Sequence, residues 1–243
     1  MKGYPLAIAL LILILGLMGG FMAPVQAATT PQDVYDYINC CLVASAETKA
    51  LLLRALEHAF QTGALAPERI LAFLKRIDTS GAPIELRDGV LETIAQALLE
   101  DLPVEMLLRK VEEGLAKGRP MDEILAEIRE RKITLEEVKR LLEGKGFKVG
   151  IQLQLGPVTL QVDITVSGIL ITDVAGALED YVRNGNDPQD ALAVQQAVLL
   201  RLQRDRNVPS VLVDWFKENV TPQELSQIAQ GIAARLAAMR EKG

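Results

Sequence analysis

Residues 146–168, GFKVGIQLQLGPVTLQVDITVSG, constrain the fold more than any other stretch of the chain. Apolar and polar residues alternate through them. Phe147, Val149, Ile151, Leu153 and Leu155 fall on one face, and Lys148, Gly150, Gln152 and Gln154 on the other. After Gly156-Pro157 the pattern resumes with Val158, Leu160, Val162, Ile164 and Val166, set against Thr159, Gln161, Asp163 and Thr165. A period of two is the mark of a half-buried strand. Placing Leu155 opposite Val158 aligns the rest of the two faces as far as Phe147 opposite Val166. A slip of one residue would send every apolar side chain to the wrong face, so the register is specified. The stretch therefore predicts an amphipathic β-hairpin over 146–168.

Two strands with one apolar face are marginal alone in water. The face needs a cover: helices of the same chain, strands or surfaces of another protein or a second copy, or lipid. Its ten apolar residues are thus the candidate interaction face.

Most of the chain on either side of the hairpin reads as helix. From Val34 to Glu143 one design recurs: a proline or threonine, then an acid within the first turn, then apolar residues at helical spacing. Pro67-Glu68, Pro83-Ile84-Glu85, Pro103-Val104-Glu105, Pro120-Met121-Asp122 and Thr134-Leu135-Glu136 are the predicted starts. Proline is tolerated in a first turn because its missing N–H would have no intrahelical partner, and acids there favour the positive end of the helix dipole. Apolar stripes follow: Ile70, Phe73, Leu74 and Ile77; Leu107, Leu108, Val111 and Leu115; Ile124, Leu125 and Ile128. Beyond the hairpin, Ile169–Ile171 reads as continued strand, with Thr172-Asp173 as the cap of a following helix. A helix over 188–205 turns Leu192, Val198, Leu199 and Leu202 inward, and Arg201, Arg204 and Arg206 complement the dipole at its end. Trp215 and Phe216 anchor the core or a docking face. The last helix carries Leu225, Ile228, Ile232, Leu236 and Met239 as its stripe.

The expected fold is mostly α with one β-hairpin, an α+β class. Short helices form an irregular α-solenoid or a bundle, with the hairpin inserted between two helical groups. The divisions are 1–27, 28–145 as an N-terminal helical arm, 146–168, and 169–243 as a C-terminal helical group. Residues 1–27 read as a cleaved signal peptide: Lys2, an apolar run from Leu6 to Met22, helix breakers Gly19-Gly20 and Pro24, and Val25-Gln26-Ala27 before the cut. The expected location is therefore exported, periplasmic or extracellular.

Residue chemistry narrows the function by subtraction. A net charge of −6 gives no general attraction to nucleic acid, and 4% aromatic residues leave few stacking platforms. The two cysteines, Cys40 and Cys41, are adjacent. That spacing suits neither a redox C-x-x-C motif nor a zinc site. It leaves a strained vicinal disulfide, bonds to another chain, or free thiols of which one packs into a helix interior. The single histidine, His58, reads as a helix-surface residue and cannot build a histidine-based metal cluster or a triad. Glu112-Glu113 and Glu136-Glu137 read as solvated faces, because adjacent helical residues do not face one another. No catalytic residue, metal ligand or cofactor is nominated. The sequence is read as a secreted or periplasmic non-enzymatic helical interaction or scaffold protein, acting through a protein partner or self-association. The alternatives are a hairpin-mediated oligomer, a membrane-associated assembly, and a hydrolase built from Asp, Glu, Ser and Thr.

Overall fold

The computed structural model describes residues 28–147, 152–155, 158–161 and 164–241, with side chains over 28–147 and 168–241. Segment 1–27, read as a signal peptide, lies outside them. Ten helices make up the described fold: α1 (Pro31–Cys40), α2 (Ala46–Thr62), α3 (Pro67–Asp78), α4 (Ile84–Leu99), α5 (Glu105–Ala116), α6 (Met121–Gly144), α7 (Ile164–Arg183), α8 (Ala191–Arg204), α9 (Ser210–Asn219) and α10 (Pro222–Arg240).

Local chemistry sets most of their ends. Thr30 and Thr221 close capping boxes on α1 and α10 with Asp33 and Glu224, each pair satisfying two backbone N–H groups that a helix start leaves free. Pro67 stands in the first turn of α3, and Pro83, Pro120 and Pro209 sit at the caps of α4, α6 and α9. Thr134 starts nothing. It lies in the middle of α6, where its hydroxyl donates to the Glu130 carbonyl one turn back at 3.3 Å. A Thr followed by two acids imitates a helix start, but the unbroken apolar stripe Ile128, Leu135, Val138 and Leu142 carries the helix through it.

The first six helices stack in two rows. Odd-numbered helices pack on one another (α1 on α3, α3 on α5), and so do even-numbered ones (α2 on α4, α4 on α6). α1–α2 and α5–α6 contacts join the rows. Polar ties reinforce the stacking. Arg69 of α3 reaches Glu105 and Glu112 of α5, the latter through two bonds of 2.8 and 3.0 Å. Thr48 of α2 donates to Glu92 of α4 at 3.0 Å. α6 then belongs to a second arrangement, in which α6, α7, α8 and α10 pack together and α9 lies on α8. One continuous apolar core runs from Val34 to Ile232 through both parts, so the arm and the C-terminal group are not separate bodies.

The fold class is a correction. The described architecture is all-α, and the α+β reading with a hairpin layer does not hold. Among the described residues, the predicted strands over 147–155 and 158–166 are not seen at that length. Among the described residues between α6 and α7 there is a four-residue antiparallel backbone pairing, β1 (Gln152–Leu155) with β2 (Val158–Gln161), running from Gln152↔Gln161 to Leu155↔Val158. It has no third strand among the described residues and adds no layer. Its neighbours go to helical structure. Phe147 closes the turn after α6, its N–H donating to the Leu142 carbonyl at 3.0 Å, and its ring lies 5.2 Å from Trp215. Ile164 and Val166 are inside α7. The apolar set Leu170, Ile171, Val174, Ala175 and Leu178 is buried at helical spacing, and extending an established helix backwards costs far less than nucleating a new element. Ile169–Ile171 is therefore helix, and Asp173 is mid-helix rather than a cap.

One further expectation fails at α8. Leu192 is 66% exposed, and Val194 takes the inward position with Val198 and Leu202. Trp215 and Phe216 are both in the core.

Candidate functional site

The site begins where α4 ends. Asp101 follows it with φ 52, the one left-handed non-glycine among the described residues. Aspartate tolerates that region better than most side chains. The kink lets Leu102 N–H bond back to the Ala97 carbonyl at 2.9 Å and sends Pro103 and Val104 into α5. It also aims the Asp101 carboxylate across to α2, where it meets His58 Nε2 at 2.7 Å. Opposite this turn runs the first part of α7. An ideal Cβ at Gly168 would stand 3.7 Å from the Pro103 side chain. The end of α8 closes the far side.

Between these elements lies an open cleft of about 880 Å³. Leu98, Leu102, Val104, Met106, Ile169 and Ile171 give it an apolar lining, and Arg109, Lys110, Arg131 and Arg201 bring cations to its walls. Each of those cations is held within the protein. Arg109 bonds Glu105 at 3.0 Å, Lys110 stands 3.2 Å from Glu127, and Arg131 bonds Glu179. Arg201 of α8 donates to Asp173 at 3.2 Å and to Asp180 at 2.7 Å. Gly176 makes the last contact feasible. A Cβ there would come within 2.7–2.9 Å of the guanidinium, so any other residue would push Arg201 from its place between the two carboxylates.

Behind the cleft is an ionic network around buried carboxylates, joining α6, α7 and α10. Glu127 receives Arg119, Lys110 and Arg183. Arg235 of α10 takes Glu137 through bonds of 2.9 and 3.0 Å and stands 3.6 Å from Glu130. Burial dominates several of these groups. It pushes the Glu179 acid up to about 7 despite Arg131 beside it, and it raises Glu130 and Asp173 against their arginine partners. Burial also presses on Glu127, but there the surrounding cations outweigh it and the acid is lowered. Glu130 Oε2, Glu179 Oε1 and Asp173 Oδ2 are buried with no hydrogen-bond partner among the described residues.

The chemistry available at the cleft is limited. The His58–Asp101 pair has the form of an oriented base, but the nearby Thr62 hydroxyl donates to the His58 and Ala59 carbonyls and is not presented as a nucleophile. No group of three or more His, Cys, Asp or Glu side chains among the described residues is placed to hold a metal ion.

The residues singled out from the sequence lie elsewhere. Cys40 and Cys41 are both exposed and free, at the end of α1, so neither packs into a helix interior. Of the ten hairpin residues, Phe147 is buried against Trp215. Val149, Ile151 and Val162 lie outside the described residues, and for Leu153, Leu155, Val158, Leu160, Ile164 and Val166 the backbone alone is described. The ionic network was missed by sequence reasoning, although it left a signal. Glu127, Arg131 and Thr134 occupy positions on α6 that continue the stripe of Ile124, Ile128, Leu135 and Val138, where a solvated face would not fall. Glu112 and Glu137, read as solvated, are each clasped by an arginine.

No protein-family model matches the chain, no curated protein matches it in sequence, and no solved structure matches it in fold.

Proposed function

We propose that this is an exported, non-enzymatic helical interaction protein, and that its partner site is the cleft between the α4–α5 turn and α7. The observation that carries the reading is the pairing of every wall cation with an internal carboxylate around an apolar lining. A site for a phosphate or carboxylate ligand would leave a cation free to receive it. Here the gain on binding comes from apolar contact, with the paired charges forming a polar rim. The cleft is open, which suits a segment of polypeptide better than a small molecule that must be enclosed on most sides. The partner is accordingly a protein that inserts an apolar, weakly charged segment. Export rests on the character of residues 1–27. No described helix is long and apolar enough to cross a membrane.

Selection of displayed peptides against the purified protein tests the reading. The expected result is enrichment of apolar peptides whose binding is lost in Met106→Asp and Ile169→Asp. Binding that is unaffected by both substitutions, or enrichment of acidic or basic peptides, would overturn it.

A further inference from the structure

The cysteine pair is left unused by the cleft, and its geometry gives it a chemistry of its own. Cys40 is the last residue of α1, and Cys41 caps it with φ −122 and ψ −38. Both side chains are exposed, and their Sγ atoms are 2.7 Å apart, so the two thiols project together into solvent. No third ligand-type side chain joins them among the described residues, which leaves the pair unsuited to a metal that needs three or four protein ligands. What two converging, accessible thiols can do without further ligands is exchange with a disulfide.

We propose that Cys40 and Cys41 form a vicinal-dithiol modification site, closed reversibly to an intrachain disulfide by exchange with the disulfide of a small-molecule thiol. In the first step one cysteine thiolate attacks a sulfur of the incoming disulfide. A protein–small-molecule S–S bond forms, the incoming S–S bond breaks, and the first small thiol leaves with a proton. In the second step the other cysteine, as thiolate, attacks the protein sulfur of that mixed disulfide. The Cys40–Cys41 bond forms and the second small thiol leaves. The protein loses two electrons and two protons, and the small-molecule disulfide gains them as two thiols.

Reversibility follows from the spacing. Consecutive Cα atoms are about 3.8 Å apart, shorter than an unstrained disulfide prefers, and strained, exposed disulfides are the readily reduced ones. The surroundings favour a resting dithiol. The Cys41 thiol is held above its usual range, first by the hydrogen bond it shares with Cys40 and further by burial, by negative charge on Cys40 and by Asp78, with Lys49 opposing.

The test uses the intact protein, reduced, freed of reductant and incubated with oxidised glutathione. It is then treated with iodoacetamide and its mass measured. The expected product is two hydrogens lighter, carries no glutathione and takes up no alkyl group. Because the chain has no other cysteine, Cys40→Ser and Cys41→Ser are each expected to retain one glutathione. Exposed Cys→Ser changes leave the core untouched, so a failure to fold does not cloud the result. Retention of glutathione by the unsubstituted protein, chain-to-chain dimers, or two thiols still open to alkylation would each overturn the proposal.

Discussion

Glu179→Gln isolates a strong electrostatic tension at a buried carboxylate. Glu179 is fully buried on α7, bonded to Arg131 of α6, with its second oxygen unpartnered among the described residues. Burial and the Arg131 charge act in opposite directions, and burial prevails, lifting the acid from 4.5 to about 7. A rise of that size corresponds to about 3 kcal/mol. The folded state therefore binds the Glu179 proton more tightly than the unfolded state does. The contribution is most favourable below 4.5, declines as pH rises towards 7, and is a full cost of about 3 kcal/mol above that. Glutamine stands in for the protonated acid at every pH. Near pH 5 the variant and the parent protein should differ by about 1 kcal/mol or less, and near pH 8 the variant should be the more stable by about 3 kcal/mol. Neighbouring Glu130 reinforces the trend, since removing a negative charge beside it eases a second buried carboxylate. Urea unfolding at several pH values, followed by the fluorescence of the single tryptophan, gives the difference directly. The opposite outcome is equally definite. If the ion pair outweighs burial, the substitution leaves Arg131 unpaired and costs about 3–5 kcal/mol. A variant less stable than the parent at pH 8, or a difference that does not change with pH, would refute the reasoning.

Gly114→Ala should destabilise by about 1–2 kcal/mol in the same unfolding assay. A Cβ there would lie 2.6 Å from Ile124 Cγ1 in the buried α5–α6 contact, and overpacking outweighs the helix-propensity gain of losing a glycine. Phe147→Ala should cost about 3–5 kcal/mol and shift the Trp215 emission, because the Phe147 ring packs 5.2 Å from the indole and is nearly inaccessible. Thr221→Ala, which opens the capping box of α10, should cost about 1 kcal/mol with no change in cleft binding. Closing the Cys40–Cys41 disulfide should speed hydrogen exchange at the Cys41 and Leu42 amides by roughly tenfold, since both donate to the Tyr37 carbonyl at 2.9 Å across the peptide that the ring would strain.

The helices were legible in the sequence wherever a local signal and the apolar stripe agreed. Pro67, Pro83 and Pro120 mark real starts, and Phe73, Leu107 and Ile124 face the core as their spacing implies. Reading failed where one local signal was trusted alone. Thr134 looks like a cap because the residues after it suit one, yet the stripe passes through it. Ile164 and Val166 alternate like a strand, but a short apolar run fits either periodicity and the downstream helix claims it. Leu192 shows that an apolar residue near a helix start need not turn inward when Val194 fills the core position. The cleft was the least legible part, since its walls come from α2, α4, α5, α6, α7 and α8. The Asp101 turn, the Gly176 gap and the reach of Arg201 are properties of packing between segments distant in sequence, which spacing within one segment does not encode.

The two-row stacking of α1–α6 has a consequence for how the protein opens. In such an array each helix is held by its near neighbours, so cooperativity is graded along the chain rather than uniform. Among the described residues α1 leans on α2 and α3, whereas α6 is gripped by α4, α5, α7 and α10. Partial unfolding should therefore begin at α1 and fade with distance, giving the described fold a labile part that carries Cys40 and Cys41 and a stiffer part, from α4 to α8, that supplies the apolar lining of the cleft. A chemical event at the cysteines can loosen its own surroundings while the binding surface keeps its shape.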